Sequence, residues 1–318
     1  MSSEQSPDLP LTPVTIPRRR FPYRRIAALL FLSATVLWLL ASFVVGYRLT
    51  HRATPPFPEP VPECAWGTFQ PLRLKTADGQ ELGAWTLPGK ENRPIILILH
   101  GNGGSRTTCL PQAEFLARQG HGLLMVTQRA HGDSTGETLG LGSPGAYDLL
   151  AAVEWIEQHH PQRPIVIWGQ SLGASAILYA AGKLSTRAKG YLLECPFQDL
   201  EHAVRYRTDY YLPVPLNGIA YAGLRVVAPV MIGDIRTVAP RDQAQFIPET
   251  IPVMFLVGDR DRRAPLADTQ AIATQIKSPV EIVRFENGDH LELLASDPQK
   301  YRESTLKFIE RCLRHRSE

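Results

Sequence analysis

The chain has 318 residues, of which 44% are hydrophobic and 20% are charged, a composition that suits a folded globular protein and excludes a wholly disordered one. Its formal net charge is only +3, and much of the basic excess comes from the arginines between residues 18 and 25. Because a nucleic-acid-binding domain needs a basic patch on its folded surface, this distribution argues against nucleic acid as a partner.

An uninterrupted apolar segment comes first along the chain. From residue 26 to residue 47 the sequence contains no Asp, Glu, Lys or Arg. A helix of that length reaches roughly 33 Å, enough to cross a hydrocarbon core of about 30 Å. We therefore expect a basic N-terminus at residues 1–25 and a transmembrane helix at residues 26–48. A cleaved signal peptide is the alternative, although its apolar region is normally shorter.

The flanking charges predict how this helix is oriented. Arginines crowd its N-terminal side, whereas only Arg48 and Arg52 follow it closely. By the positive-inside rule, the N-terminus is expected in the cytoplasm and the rest of the chain outside it, in the periplasm if the protein is bacterial.

A proline-rich stretch follows the apolar segment. Five prolines lie between Thr54 and Cys64, where they remove amide donors and hold the backbone near polyproline II. We expect residues 49–66 to form a stiff spacer and residues 67–318 to form the folded domain.

Strand-like and helix-like patterns alternate through residues 67–318. A hairpin turn is expected around Asp78 and Gly79. Continuous apolar runs typical of buried strands begin at Pro94, Gly122, Pro164, Gly190, Pro252 and Val280. Amphipathic helical patterns cover Pro111–Arg118, Ala146–Gln158, Leu172–Leu184, Leu266–Ile276 and Pro298–Leu313. The alternation predicts a mostly parallel sheet with helices on both faces, and ligands bound at the carboxyl ends of the strands.

Residues 198–247 break this rhythm, because they are rich in Tyr, Pro and Arg and show no clear period. We interpret them as a lid insertion. Within them the apolar run Leu216–Gly233 either covers an acyl pocket or forms a packed lid helix.

The sequence Gly169-Gln170-Ser171-Leu172-Gly173 matches the pattern G-x-S-x-G between a strand and a helix. A serine at such a sharp turn holds strained backbone angles, and small residues two positions away permit the close approach of strand and helix. The neighbouring helix N-terminus favours developing negative charge. The pattern predicts Ser171 as a nucleophile.

Further motifs fall at other predicted strand ends: His100-Gly101-Asn102-Gly103-Gly104, Arg129-Ala130-His131-Gly132-Asp133-Ser134-Thr135-Gly136, Gly258-Asp259-Arg260-Asp261 and Gly288-Asp289-His290. With the serine motif, they make the chain from about Thr68 to the C-terminus resemble the α/β-hydrolase superfamily, near the serine aminopeptidase-like and Bem46-like hydrolases. The resemblance implies an α/β-hydrolase fold and a serine hydrolase.

A serine hydroxyl needs a base, and a histidine has a suitable pKa. His290 follows the last predicted strand and completes the order Ser, acid, His that is typical of this fold. Asp259 and Asp261 compete for the acid. The resemblance implies Asp261, which precedes Pro265 by a few residues, and Asp259 stays the alternative.

Two backbone amides are expected to stabilise the tetrahedral intermediate, at about 3 kcal/mol each. They belong to Leu172, which follows the nucleophile, and to Asn102 in the glycine-rich turn. His100 is expected to be structural.

The sequence contains no pattern for a cofactor or metal. The glycine-rich turn has Arg106 where a dinucleotide motif needs glycine, and neither a Walker lysine nor HExxH is present. The four cysteines are far apart and unclustered, so zinc and thioredoxin-type chemistry are not expected. Buried free thiols are the favoured interpretation, and one oxidised pair is the alternative.

These features predict hydrolysis of a carboxylic ester or thioester through an acyl-enzyme on Ser171. Peptide hydrolysis is suggested only by the aminopeptidase-like resemblance. A non-catalytic interaction module is a third possibility, but all three triad residues are present. The membrane helix favours a lipid or acylated-protein substrate, because tethering raises the local concentration of membrane-borne esters.

Overall fold

The structure is a computed structural model that describes residues 23–314, so most of the basic N-terminus expected at residues 1–25 lies outside the described range. Its strands are β1 (Gln70–Lys75), β2 (Glu81–Leu87), β3 (Ile95–Leu99), β4 (Gly122–Val126), β5 (Ile165–Gln170), β6 (Gly190–Glu194), β7 (Val253–Gly258) and β8 (Val280–Phe285). Its helices are α1 (Tyr23–Thr50), α2 (Leu110–Arg118), α3 (Ser143–His159), α4 (Leu172–Leu184), α5 (Leu200–Tyr211), α6 (Leu216–Ile232), α7 (Pro240–Gln243), α8 (Leu266–Ala273), α9 (Leu293–Ser296) and α10 (Pro298–Arg314).

The strands form one sheet in the order β1-β2-β4-β3-β5-β6-β7-β8. β1 and β2 pair antiparallel as the expected hairpin, β2 also pairs antiparallel with β4, and every later pairing is parallel. The mostly parallel sheet predicted from the sequence is confirmed.

Successive residues of the central strands contribute to two separate cores. Leu97 and Leu99 of β3 pack with α3 and α4 on one face of the sheet. Ile96 and Ile98 pack on the other face, with α2 and α10. Because alternate side chains of a strand point to opposite faces, both faces must be covered, which explains the continuous apolar runs in the sequence.

Helix α1 is continuous from Tyr23 to Thr50 and is long and apolar enough to cross a membrane. Almost all of the most apolar part of this helix is exposed to solvent, which a helix in the core of a soluble protein would avoid. It is a candidate for a single membrane span. The chain divides into two compact units after Ala41, so the last turns of α1 belong with the folded domain.

The segment expected as a spacer, residues 49–66, lies against this domain. The amide of Leu139 donates to the Thr50 carbonyl over 2.9 Å, and the amide of Phe57 donates to the Gly132 carbonyl over 3.2 Å. The Glu59 side chain is buried. Proline-rich backbone has few donors of its own, so these few hydrogen bonds fix much of its course.

Residues 198–247 connect β6 to β7 as a largely helical insertion that contains α5, α6 and α7. The sequence predicts an irregular segment here, except that a packed lid helix is one interpretation of Leu216–Gly233, where α6 lies. Helices form there despite Pro229 inside α6, because tertiary packing of apolar faces outweighs local propensity.

Candidate active site

Ser171 stands at the turn between β5 and α4. Its φ angle is +48°, a strained value for a residue other than glycine. A Cβ on Gly169 would lie 2.4 Å from the carbonyl carbon of Gly173, so glycine is needed where strand and helix approach so closely. The Ser171 amide donates to the Glu194 carbonyl over 2.8 Å, which ties the turn to the neighbouring strand.

Three buried side chains form a hydrogen-bonded chain at the carboxyl edge of the sheet. The Nε2 atom of His290 lies 3.2 Å from the Ser171 hydroxyl. On the other side of the ring, His290 Nδ1 lies 2.7 Å from a carboxylate oxygen of Asp261. Since an ionised carboxylate only accepts, Nδ1–H donates to Asp261 and leaves Nε2 free to accept the serine proton. The three residues are 3%, 3% and 6% exposed for Ser171, Asp261 and His290.

Backbone amides orient the Asp261 carboxylate. Its second oxygen accepts from the amides of Arg263 and Ala264, each over 2.9 Å. Burial alone would raise the pKa of Asp261, but hydrogen bonds from His290 and from these amides hold that pKa below its ordinary value of 3.8. An ionised Asp261 can therefore stabilise an imidazolium.

Asp259, the other aspartate considered for the acid, lies elsewhere. Its carboxylate pairs with the Arg284 guanidinium at 3.0 Å. The structure thus brings Asp261, and not Asp259, to His290.

The two residues expected to stabilise an oxyanion flank the nucleophile. Asn102 and Leu172 line the same cavity as Ser171. Among residues 23–314, neither backbone amide donates a hydrogen bond to another protein group. Backbone amides without a partner in the protein are the kind of donor that an oxyanion site uses.

His131 supports the glycine-rich turn. Its Nδ1–H donates to the Arg129 carbonyl over 2.9 Å, and its Nε2 accepts from the Gly103 amide over 3.2 Å. Burial lowers the pKa of His131, which keeps Nε2 unprotonated and able to accept. His131 belongs to one of the motifs at the strand ends, so the sequence indicates that it is near the site. The sequence does not indicate that its partner is the Gly103 amide.

His100 has the structural position expected for it. Its Nδ1–H donates to the Gly101 carbonyl over 2.7 Å, and its Nε2 accepts from the Gln128 amide over 2.9 Å. Complete burial lowers the pKa of His100 to about 3, so the ring is neutral near neutral pH and both hydrogen bonds persist.

Cys195 lies close to Asp261 and His290, and the sequence did not single it out. It follows β6 with a φ angle of +47°, and its sulfur, Asp261 and His290 have potential ligand atoms within 4.8 Å of one another. This is the one such trio within residues 23–314. Burial raises the pKa of the Cys195 thiol, which disfavours the thiolate that a metal needs. The four cysteines, Cys64 included, are free in the structure.

The cavity beside Ser171 has a volume of about 50 Å³. Its walls include Phe197 and Leu200 next to the sheet and Arg207 from α5. Leu49 from the last turn of α1 lines it as well. Neither Leu49 nor Arg207 could be found from sequence, because each lies far along the chain from every strand-end motif.

Comparisons with known proteins agree with this architecture. A family model described as alpha/beta hydrolase fold matches residues 94–215. The uncharacterized protein YqkD of Bacillus subtilis is 26% identical over 242 residues, which cover 74% of this chain and 78% of YqkD. Lysophosphatidylserine lipase ABHD12 of Xenopus tropicalis is 28% identical over 175 residues, which cover 49% of this chain and 45% of that protein.

Among solved structures, the esterase Pf2001 of Pyrococcus furiosus superposes with a TM-score of 0.65 at 21% identity, covering 81% of this chain and 98% of the esterase. A likeness at this identity concerns the fold alone.

Proposed function

Because the chain belongs to the α/β-hydrolase superfamily, we propose that it is a serine hydrolase that cleaves a carboxylic ester or thioester through an acyl-enzyme intermediate. One observation carries the proposal: Ser171, His290 and Asp261 are joined by hydrogen bonds of 3.2 and 2.7 Å at the carboxyl edge of the sheet. This edge is where sheets of this kind bind their ligands.

In the proposed acylation step, His290 takes the proton from the Ser171 hydroxyl as its oxygen attacks the carbonyl carbon of the substrate. The resulting oxyanion accepts from the amides of Leu172 and Asn102. His290 then gives the proton to the leaving oxygen or sulfur, and the acyl group stays on Ser171. Asp261 keeps the imidazole in one tautomer and stabilises its positive charge.

Deacylation repeats these events with water. His290 removes a proton from a water molecule as that water attacks the acyl-enzyme, and the same two amides again accept the oxyanion. The proton returns to Ser171 as the acid leaves, so the enzyme is regenerated without a cofactor.

The lining of the cavity favours an ester over a peptide with a free amine. A peptidase that acts at free N-termini needs a carboxylate beside the nucleophile to hold the amine. Within the described residues, the polar side chains that line the cavity are those of Ser171, Asn102 and Arg207, and the lining contains neither Asp nor Glu. A binding module without catalysis would have no need for a strained serine paired with a histidine.

A lipid-like substrate is supported by two further observations. A relative that shares 28% identity is named a lysophosphatidylserine lipase, and α1 is a candidate membrane span. An enzyme tethered to a bilayer meets membrane-borne esters at high local concentration.

We also infer that α1 crosses the membrane once, with its N-terminus in the cytoplasm and the hydrolase domain outside. A protease added to right-side-out vesicles should remove an epitope tag placed after residue 318. Protection of that tag would reverse the orientation, and loss of residues 1–25 from the membrane fraction would favour a cleaved signal peptide.

Ser171→Ala tests the nucleophile directly. We expect the purified full-length variant to lose at least about 10⁴-fold in turnover of p-nitrophenyl acetate, and to lose labelling by a fluorophosphonate. Ser175→Ala is the matched control, because Ser175 is a buried serine one turn along α4 and should remain active and labelled. Undiminished turnover in Ser171→Ala would refute the proposed function.

A further inference from the structure

We propose that a channel for the acyl chain of the substrate leads away from Ser171 between α5 and α6, and that the last turn of α1 forms one of its walls. Leu49 and Leu141 stand where its cavities adjoin. This inference rests on the proposed function and deepens it, because it assigns the aliphatic acyl chain as the part of the substrate that is selected.

The channel consists of three adjoining cavities. The first, of about 50 Å³, contains Ser171, and the second, of about 40 Å³, lies beyond it. The third has a volume of about 420 Å³. Leu49 lines the first two cavities, Thr50 lines the second and third, and Leu141 lines all three.

Leu49 and Leu141 therefore separate cavities that already share walls. Leu49 is 38% exposed and Leu141 is half-buried, so neither side chain is locked inside a close-packed core. Partly exposed side chains change rotamer within nanoseconds. Rotation of these two leucines would join the small cavity at the nucleophile to the large one.

The middle cavity suits a hydrocarbon chain and little else. Its lining within the described residues is apolar apart from Thr50 and contains no charged side chain. The Thr50 hydroxyl donates to the Gly46 carbonyl over 2.8 Å, so it needs no partner from a ligand. Each methylene buried in such surroundings strengthens binding, and a polar headgroup would lose its hydration there.

The wall that α1 contributes is fixed to the domain. A Cβ on Gly46 would lie 2.9 Å from the sulfur of Met231 on α6, so the two helices touch at that glycine. The Leu139 amide holds the Thr50 carbonyl at 2.9 Å. The backbone of Leu49 lies between these two contacts and cannot move away from the channel without breaking them.

The test varies the acyl chain and keeps the leaving group constant. The full-length protein in one detergent is assayed with the p-nitrophenyl esters of acetate, octanoate and palmitate, and each rate is divided by the acetate rate of the same variant. Leu49→Trp and Leu141→Trp fill the place where the cavities adjoin, and we expect their palmitate-to-acetate ratio of kcat/KM to fall by at least about tenfold. Val230→Trp is the control, because Val230 is on α6 but 78% exposed, and its ratio should equal that of the wild type.

Leu49→Ala removes side-chain volume where the tryptophan variants add it, and it tests the channel even if those variants misfold. A wider passage should raise the palmitate-to-acetate ratio several-fold, and this result stands even if both tryptophan variants fail to fold. If the palmitate-to-acetate ratio is unchanged in the folded variants, the channel is overturned. The proposed function would still stand in that case, provided that the wild type turns over the acetate ester. Absence of acetate turnover in the wild type, with no fluorophosphonate labelling, would instead reject the proposed function itself.

Discussion

The catalytic edge of the proposed hydrolase comprises Ser171, Asp261 and His290 with the supporting His100 and His131. It is built in a different way from the juxtamembrane segment, residues 42–59. At the catalytic edge, each functional side chain follows a strand end within a few residues, and the hydrogen bonds among Ser171, His290 and Asp261 are between buried groups. The juxtamembrane segment has no strand, and its contacts reach residues about eighty positions later, such as Gly132. Local motifs therefore mark the residues of the catalytic edge, although the contact between Ser171 and His290 itself spans 119 positions. No local motif marks the contacts of the juxtamembrane segment.

The two regions also differ in charge. The catalytic edge relies on neutral imidazoles, because burial lowers the pKa values of His100 and His131. The juxtamembrane segment is held by guanidinium groups. The buried Arg106 donates to the Asp133 carboxylate over 2.7 Å and to the Glu59 carbonyl over 3.2 Å. Such charged pairs tolerate a change of pH near neutrality better than a neutral histidine does.

The largest effect is expected from Asp261→Asn. An amide at this position cannot hold the imidazole in the required tautomer or stabilise its charge, so turnover of p-nitrophenyl acetate should fall by about 10⁴-fold. KM should change little, because the substrate does not touch Asp261 in the proposed mechanism. Steady-state kinetics on the purified protein would measure both values.

Asp259→Asn is its matched control. Asp259 lies two residues earlier and pairs with the exposed Arg284, and surface pairs contribute little. Turnover should stay near that of the wild type. A large loss from Asp259→Asn, with little loss from Asp261→Asn, would reverse the assignment of the acid.

The next effect concerns how the catalytic edge is supported. His131→Phe removes the acceptor for the Gly103 amide and loosens the turn that carries Asn102. A misplaced oxyanion donor should lower kcat by about 10- to 100-fold without a matching change in KM.

His131→Gln tests whether the hydrogen bond or the volume matters. A glutamine oxygen can accept from the same amide, so part of the lost kcat should return, with the thermal midpoint recorded for both variants. Equal kcat values in the two variants, at equal stability, would contradict a positioning role.

Much of the catalytic edge could be predicted from the sequence, for a physical reason. The G-x-S-x-G pattern, the strand before it and the helix after it are adjacent in the chain, and a parallel sheet brings strand ends to a common edge. The position of His290 after β8 follows from the same rule. These inferences need only local pattern and topology.

The juxtamembrane contacts could not be predicted in this way. Leu49 and Arg52 lie at or just after the end of an apolar helix, and Glu59 lies among prolines, so nothing in the sequence indicates which distant residues they meet. For a related reason α5 was not predicted, because its helical form depends on tertiary packing, which composition alone does not reveal. A packed lid helix is one of the two interpretations of the run Leu216–Gly233, and α6 lies there.

The pH dependence of the free energy of unfolding tests whether the catalytic edge depends on a neutral His100. Between pH 6.5 and about 3, the unfolded chain binds a proton at His100 that the folded chain does not, so the free energy of unfolding falls as the pH falls. From pH 7 to pH 5 the loss from this residue should be about 2 kcal/mol.

Urea unfolding followed by tryptophan fluorescence at the two pH values would measure this loss. His100→Gln lacks the titrating ring, so its free energy of unfolding should depend less on pH by that same amount, whatever its stability at pH 7. An identical pH dependence in both proteins would mean that His100 is not the group responsible.

The smallest effect is expected from Arg52 in the juxtamembrane segment, and it tests whether the two regions are coupled. The Arg52 guanidinium donates to the carbonyls of Gly132, Ser134 and Gly136, in the same loop that carries His131. Arg52 is half-buried, so water can replace some of the hydrogen bonds that Arg52→Gln removes. We therefore expect the free energy of unfolding to fall by about 1 kcal/mol and kcat to fall several-fold. Arg48→Gln is the control, since Arg48 is exposed one turn earlier in α1 and its replacement should change neither value. If Arg52→Gln lowers stability and leaves kcat at the wild-type value, the segment only fastens the chain to the domain; if kcat falls as well, its hold on this loop extends through His131 to the amides beside Ser171.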